Sequence, residues 1–265
     1  MSLPGPTSAD FLIRLAALSL TLALCACVTK TSGAKQPQKP DLPAAARINT
    51  ELGWDYVGQG RLDVAEMKLK KAIEQDDSVA QAHSGLAYVY WRKGDTESAQ
   101  TEFARAIGLD GDDPEIRNNY GAFLCDQHQY AEGDRNFMLA LKNREYTTPA
   151  KAWNNAGVCA HQAGDKDRAE ADFRHALQID ANYYPALAEM ASLSYELQNY
   201  LGARAFLDRY QKVGPETPAL LLLGCKTEQA LGDDNAAHDY SIKLLRSYPD
   251  SNEAAQLLKL RSSAQ

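Results

Sequence analysis

Residues 150–183 read AKAWNNAGVCAHQAGDKDRAEADFRHALQIDANY. Two apolar patterns of helical period flank a short turn at Gly164 and Asp165. Trp153, Ala156, Gly157 and Ala160 share one face of the first; Ala169, Phe173 and Ala176 share one face of the second. Gly157 and Ala169 are small where two helices must approach closely, and Phe173 fills the space between them. So short a pair cannot bury its apolar stripe alone and needs neighbours of its own kind.

Those neighbours follow at a fixed period. The Gly157 position recurs as Gly53, Ala87, Gly121, Gly157, Ala191 and Cys225, in steps of 34, 34, 36, 34 and 34 residues. The Ala169 position recurs as Ala65, Ala99, Gly133, Ala169, Ala203 and Ala237. The Phe173 position gives Leu69, Phe103, Phe137, Phe173, Leu207 and Ser241, and the turn gives Gly60, Gly94, His128, Gly164, Gln198 and Gly232. Four columns keeping one period resemble the tetratricopeptide repeat, a 34-residue helix–turn–helix unit. The expected fold is therefore all-α, a right-handed superhelical solenoid of six such repeats. The units fall at 46–79, 80–113, 114–147, 150–183, 184–217 and 218–251, with a capping helix at 252–265. The two additional residues lie near Tyr146 to Pro149, and the fifth and sixth units match the columns less well.

Charge is unevenly placed. Arg14, Lys30, Lys35 and Lys39 against Asp10 and Asp41 leave residues 1–45 at +2, so of the net −7 residues 46–265 carry −9. An acidic body repels phosphates, and nucleic acid is not an expected partner.

After Arg14 comes LAALSLTLALCACV, an apolar run of 14 residues. That is short for a bilayer span and suits the core of a signal peptide. Leu24-Cys25-Ala26-Cys27 at its end resembles a bacterial lipobox, in which a small residue precedes the cysteine that is acylated after cleavage. Cys27 fits because Ala26 precedes it; Cys25 follows Leu24, a poor cleavage residue. The resemblance implies a signal peptide at 1–26 and a fatty-acylated (palmitate-bearing) Cys27. Val28, rather than Asp, after the cysteine implies passage to the outer membrane. Residues 29–45, rich in Pro, Ser and Lys, read as a flexible tether spanning on the order of 25 Å.

In a solenoid of helix pairs the first helices line a concave groove, the default binding face. The column register places Trp54, Tyr88 and Trp91 there in the first two units, then Asn118, Asn154 and His161. Tryptophan and tyrosine are enriched among residues that carry interface energy, which suits an anchor. Asparagines in the groove offer both a donor and an acceptor to an extended backbone. Packing between repeats is the competing role for these side chains. Repeats that grip a C-terminal carboxylate resemble a clamp with a basic residue at the position held here by Thr50, Ser84, Asn118 and Asn154, none of which is basic.

Cys125 and Cys159 lie 34 residues apart on the first helices of adjacent units. In an oxidising compartment they are a disulfide candidate if their Cα atoms lie within about 7 Å; the alternative is two buried thiols. His128 and His161 flank them, but Cys159 and His161 stand about 200° apart on a helix and cannot share an ion. No phosphate loop, HExxH or GxSxG occurs, so neither an active site, a metal nor a cofactor is expected.

At RINTELGWDYVGQGRLDVAEMKLKKAI (47–73), NNYGAFLC (118–125) and WNNAGVCAHQAGD (153–165) the likeness narrows. With the lipobox and six units, these stretches resemble the type IV pilus biogenesis and stability lipoproteins, the PilF/PilW pilotin family. The resemblance implies a monomeric, lipid-anchored protein on the periplasmic face of the outer membrane. Its implied partner is the outer-membrane secretin of the type IV pilus, whose localisation and multimerisation it promotes. An adaptor lipoprotein for outer-membrane protein assembly or for peptidoglycan enzymes is the alternative role.

Overall fold

The computed structural model describes residues 42–263, and among these there are thirteen α-helices and no strand. Six hairpins follow one another. Their first helices are α1 (Leu42–Gly58), α3 (Ala80–Arg92), α5 (Pro114–Asp126), α7 (Pro149–Gln162), α9 (Tyr184–Glu196) and α11 (Pro218–Leu231). The second helices are α2 (Leu62–Gln75), α4 (Thr96–Leu109), α6 (Tyr130–Lys142), α8 (Lys166–Ile179), α10 (Tyr200–Tyr210) and α12 (Asp234–Ser247). A last helix, α13 (Asn252–Ser263), lays Ala254 and Leu257 against Leu221, Leu222 and Cys225 of the sixth hairpin.

Local chemistry explains the punctuation. At each hairpin turn the residue in the turn column takes a left-handed backbone: Gly60, Gly94, His128, Gly164, Gln198 and Gly232 all have φ between 59° and 86°. That conformation closes a Schellman turn; in the fourth unit Gly164 N–H donates to His161 C=O and Asp165 N–H to Ala160 C=O, both at 2.9 Å. The next residue then caps the second helix: the Asp95, Asp165, Asn199 and Asp233 side chains each accept a backbone N–H from the first turn. Proline stands in the first turn of α5, α7, α9 and α11, where its missing N–H costs nothing.

His128 and Gln198 adopt the left-handed conformation without being glycine. Gln198 is exposed, so Gln198→Gly is expected to raise stability by about 0.5–1 kcal/mol, the relieved Cβ strain less the added chain entropy. A urea titration by circular dichroism checks this; an unchanged or lower midpoint would show the turn to be unstrained.

Packing follows the columns. Leu69, Phe103, Phe137, Phe173, Leu207 and Ser241 are all buried, as are the small residues facing them. A Cβ built on Gly157 would lie 2.6 Å from the Phe173 ring, and one on Gly121 would lie 2.8 Å from Phe137. These glycines let an aromatic ring lie on bare backbone. In the sixth hairpin the arrangement slips by one residue: Gly224, not Cys225, lies under an aromatic ring, and that ring is Tyr240. Ser241 points inward instead, its hydroxyl donating to Ala237 C=O at 2.8 Å and lying 3.2 Å from Cys225 Sγ. This slip is why the sixth unit fits the columns poorly.

Two boundaries differ from the sequence reading. Helix α1 begins at Leu42, inside the stretch read as tether, because Pro43 is acceptable in a first turn and Ala44, Ala45 and Ala46 favour helix. Between α6 and α7 the two additional residues form a wider link that tucks Tyr146 against Ala140 and Ala152. The signal peptide, Cys27 and the rest of the tether lie outside the described residues.

Candidate binding groove

The backbones of successive first helices, α1 to α3 and onward to α11, approach one another closely, whereas among the described residues successive second helices meet only through side chains, as where Arg168 of α8 reaches Asp134 of α6 at 2.9 Å. Helices crowded on one side and splayed on the other make the first-helix layer the inner side of a curve. That layer is the groove.

Its first two units carry a row of rings. Trp54 and Tyr88 have centroids 5.7 Å apart, and Tyr88 meets Trp91 edge-on at 5.5 Å. Trp91 continues to the buried Phe123 at 6.1 Å. All three groove rings are half-buried. Their polar atoms are already engaged: Trp91 Nε1 donates to Asp126 Oδ2 at 2.8 Å, Trp54 Nε1 to Gln81 C=O at 3.4 Å, and Arg92 to the Tyr88 hydroxyl at 3.0 Å. What they leave free is ring face and edge, which suits an apolar side chain.

The asparagines correct the sequence reading. Asn118 is fully buried, and its Oδ1 accepts a hydrogen bond from Asn155 Nδ2 at 3.0 Å. It ties α5 to α7 and cannot reach a segment lying in the groove. The column register identifies the helix face but not how deep a short side chain sits. Asn154 is 7% exposed, and its Oδ1 has no hydrogen-bond partner. Asn155, one position along, is half-buried and was not singled out by the columns.

His161 sits on the inner layer, with Nε2 2.9 Å from Glu196 Oε2 on α9. Lys166 approaches the same carboxylate at 3.0 Å. Burial raises the Glu196 carboxyl, but the bonds from His161 and Lys166 outweigh it and hold it below the ordinary range. Glu189, two turns earlier on α9, has no such support. It is half-buried, and desolvation pushes its carboxyl above the usual range, with His161 opposing and Glu196 adding to the rise.

The sulfurs of Cys125 on α5 and Cys159 on α7 are joined, with Cα atoms 5.5 Å apart. Cys225 is buried and free. The neighbouring histidines turn elsewhere: His128 Nδ1 lies 2.8 Å from the Tyr130 hydroxyl, and His161 is held by Glu196. Among the described residues no three potential metal ligands converge, and no helix is long and apolar enough to cross a membrane.

A solenoid of helix hairpins with an aromatic inner face defines a peptide- or protein-binding repeat protein. The tetratricopeptide-repeat family pattern matches residues 50–123 and 124–184, and a second pattern of the same description matches 160–224. Within that class, the type IV pilus assembly protein PilF of Pseudomonas aeruginosa is 31% identical over 236 residues, covering 88% of this chain and 93% of the relative. The solved structure of P. aeruginosa PilF superposes with a TM-score of 0.69 at 29% identity, over 83% of this chain and 99% of that one. PilW, described as a widely conserved type IV pilus biogenesis factor, superposes with a TM-score of 0.72 at 30% identity, over 80% and 98%. The chain belongs to the PilF/PilW family of type IV pilus tetratricopeptide-repeat proteins. It is accordingly a binding protein and not an enzyme.

Proposed function

We propose that this protein is the pilotin of a type IV pilus: an outer-membrane lipoprotein that holds a segment of the secretin in its groove and promotes secretin localisation and multimerisation. The observation that carries this reading is the row of Trp54, Tyr88 and Trp91, half-exposed on the inner layer with their polar atoms already satisfied. Rings held in register by helices present apolar area without a large ordering cost, the property of an anchor site. Family membership supplies the pilus context. The lipobox at Cys27 supports delivery by acyl chains, each buried CH₂ contributing about 0.8 kcal/mol to membrane attachment.

Two variants in the producing strain test the two halves separately. Cys27→Ser is expected to leave the protein folded while secretin multimers fall or are found in the inner membrane. Trp54→Ala with Tyr88→Ala is expected to leave the lipoprotein in place but reduce multimers several-fold. Normal amount and location of secretin multimers in both strains would remove the proposal.

A further inference from the structure

Repeat equivalence singles out one titratable residue that occupies an arginine's place. Arg117 on α5 reaches in two directions: its Nε donates to Gly111 C=O at 2.6 Å, and its Nη1 to Asn136 Oδ1 on α6 at 3.0 Å. It thereby pins the link that follows α4 against the second helix of its own hairpin. One 34-residue step earlier at each of these three positions stand His83, Asp77 and Glu102, and the contact is repeated. His83 Nδ1 lies 2.6 Å from Glu102 Oε2 on α4, and its Nε2 lies 3.0 Å from Asp77 C=O in the link that follows α2. The residue is 5% exposed. A carbonyl and an ionised carboxylate only accept hydrogen bonds, so both ring nitrogens must bring a hydrogen, and a neutral imidazole has one. Moving that proton onto Glu102 leaves the count unchanged: the pair holds one proton more than a neutral ring beside a carboxylate.

The charged groups that act on the ring are Glu102 and Arg105 from α4, while Asp77 turns its own carboxylate to Arg105 at 3.6 Å. Burial by itself lowers the imidazole, but the bonds to Glu102 and Asp77 C=O outweigh burial and Arg105 together and hold it above the ordinary histidine range. The link that His83 grips joins the first hairpin to the second. Across that junction Trp54 on α1 lies beside Tyr88 on α3 and donates to Gln81 C=O.

We propose that His83 is a proton-operated clasp: as imidazolium it fastens the end of the first hairpin to the second, and on losing its proton it lets that hairpin, with Trp54, work loose. The same junction one unit on is built on Arg117 and has no such dependence, because a guanidinium keeps its charge. The sign follows from linkage. With the folded-state value raised, the clasp is fully made below the ordinary histidine value of about pH 6.5 and is lost as pH rises through the folded-state value. Between the two, the constant for opening the first hairpin rises about tenfold per pH unit, the slope of one linked proton. The clasp stands whatever fills the groove.

The test uses the full acylated chain in detergent micelles, with nitrogen-15-labelled histidine, titrated from about pH 5.5 to 9. One readout is the pair of ring-nitrogen shifts of His83, assigned by their loss in His83→Gln. The other is the hydrogen-exchange protection factor across residues 42–75, which removes the intrinsic pH dependence of exchange. His83 is expected to carry hydrogen on both nitrogens at about pH 6.5 and to lose one only above it. Protection across 42–75 is expected to fall with that titration while residues 114–147 stay level. His83→Arg is expected to keep 42–75 at its low-pH protection throughout. Glu102→Gln, which adds no bulk, is expected to move both the titration and the loss of protection to lower pH. A singly protonated His83 at about pH 6.5 would overturn the clasp. So would level protection across 42–75 while His83 titrates, or a parent-like pH dependence in Glu102→Gln.

Discussion

Phe173→Ala is expected to destabilise the protein by about 3–5 kcal/mol, the largest effect of any single truncation considered. The ring is 1% exposed, lies on the bare backbone of Gly157, and packs with Ala169, Met190 and Leu193. It therefore belongs to two interfaces, the one inside the fourth hairpin and the one joining it to the fifth. In a solenoid each unit is held by its nearest neighbours, so a cavity here weakens both terms together. Hydrogen exchange should show protection falling first across residues 150–210, with chemical unfolding losing cooperativity as the two ends separate. Leu201→Ala is the control: that side chain is 67% exposed, and its loss should change stability by no more than about 0.5 kcal/mol. A Phe173→Ala midpoint close to that of the control would mean that the hairpin does not depend on its ring.

Opening the bond between Cys125 and Cys159 is expected to cost about 3–4 kcal/mol, the chain-entropy value for a loop of this size. Its position adds to its weight. It staples α5 to α7 where the repeat step widens from 34 to 36 residues. The same two helices are tied by the Asn155–Asn118 hydrogen bond and by Lys151–Glu115 at 2.9 Å. The measurement is a melt with and without reductant, set against Cys125→Ser with Cys159→Ser. The paired variant should match the reduced parent and no longer respond to reductant. Alkylation of both cysteines in unreduced protein, read by peptide mass mapping, would show the bond to be absent.

The residues that betrayed the fold are those whose neighbours leave them no choice. Gly157 and Phe173 can be read from a string because a large side chain needs a small residue opposite it, and the first five hairpins repeat that need at one period. Gly60, Gly94, Gly164 and Gly232 print the turns for a different reason, the left-handed backbone that glycine adopts without strain, and His128 and Gln198 could be placed by period alone. The site was less legible. Trp54, Tyr88 and Trp91 could be assigned to the inner face because large rings on that face stay partly exposed at any depth. Asn118 could not: a short side chain on that face is either contact surface or buried strut, depending on how closely α5 approaches α7. Glu189 carried no signal, since an acidic residue on a helix is ordinarily solvated.

The repeat period, the six hairpins, the left-handed turns and the aromatic stripe follow from the amino-acid sequence alone, because each is a demand made by residues within one hairpin or by one hairpin on the next. The order of burial across neighbouring first helices was decided in three dimensions. So were the shift to Gly224 and Tyr240 in the last unit and the carboxylate left without a partner on α9. Those features depend on distances between units, and a period along the chain sets which faces meet without setting how near they come.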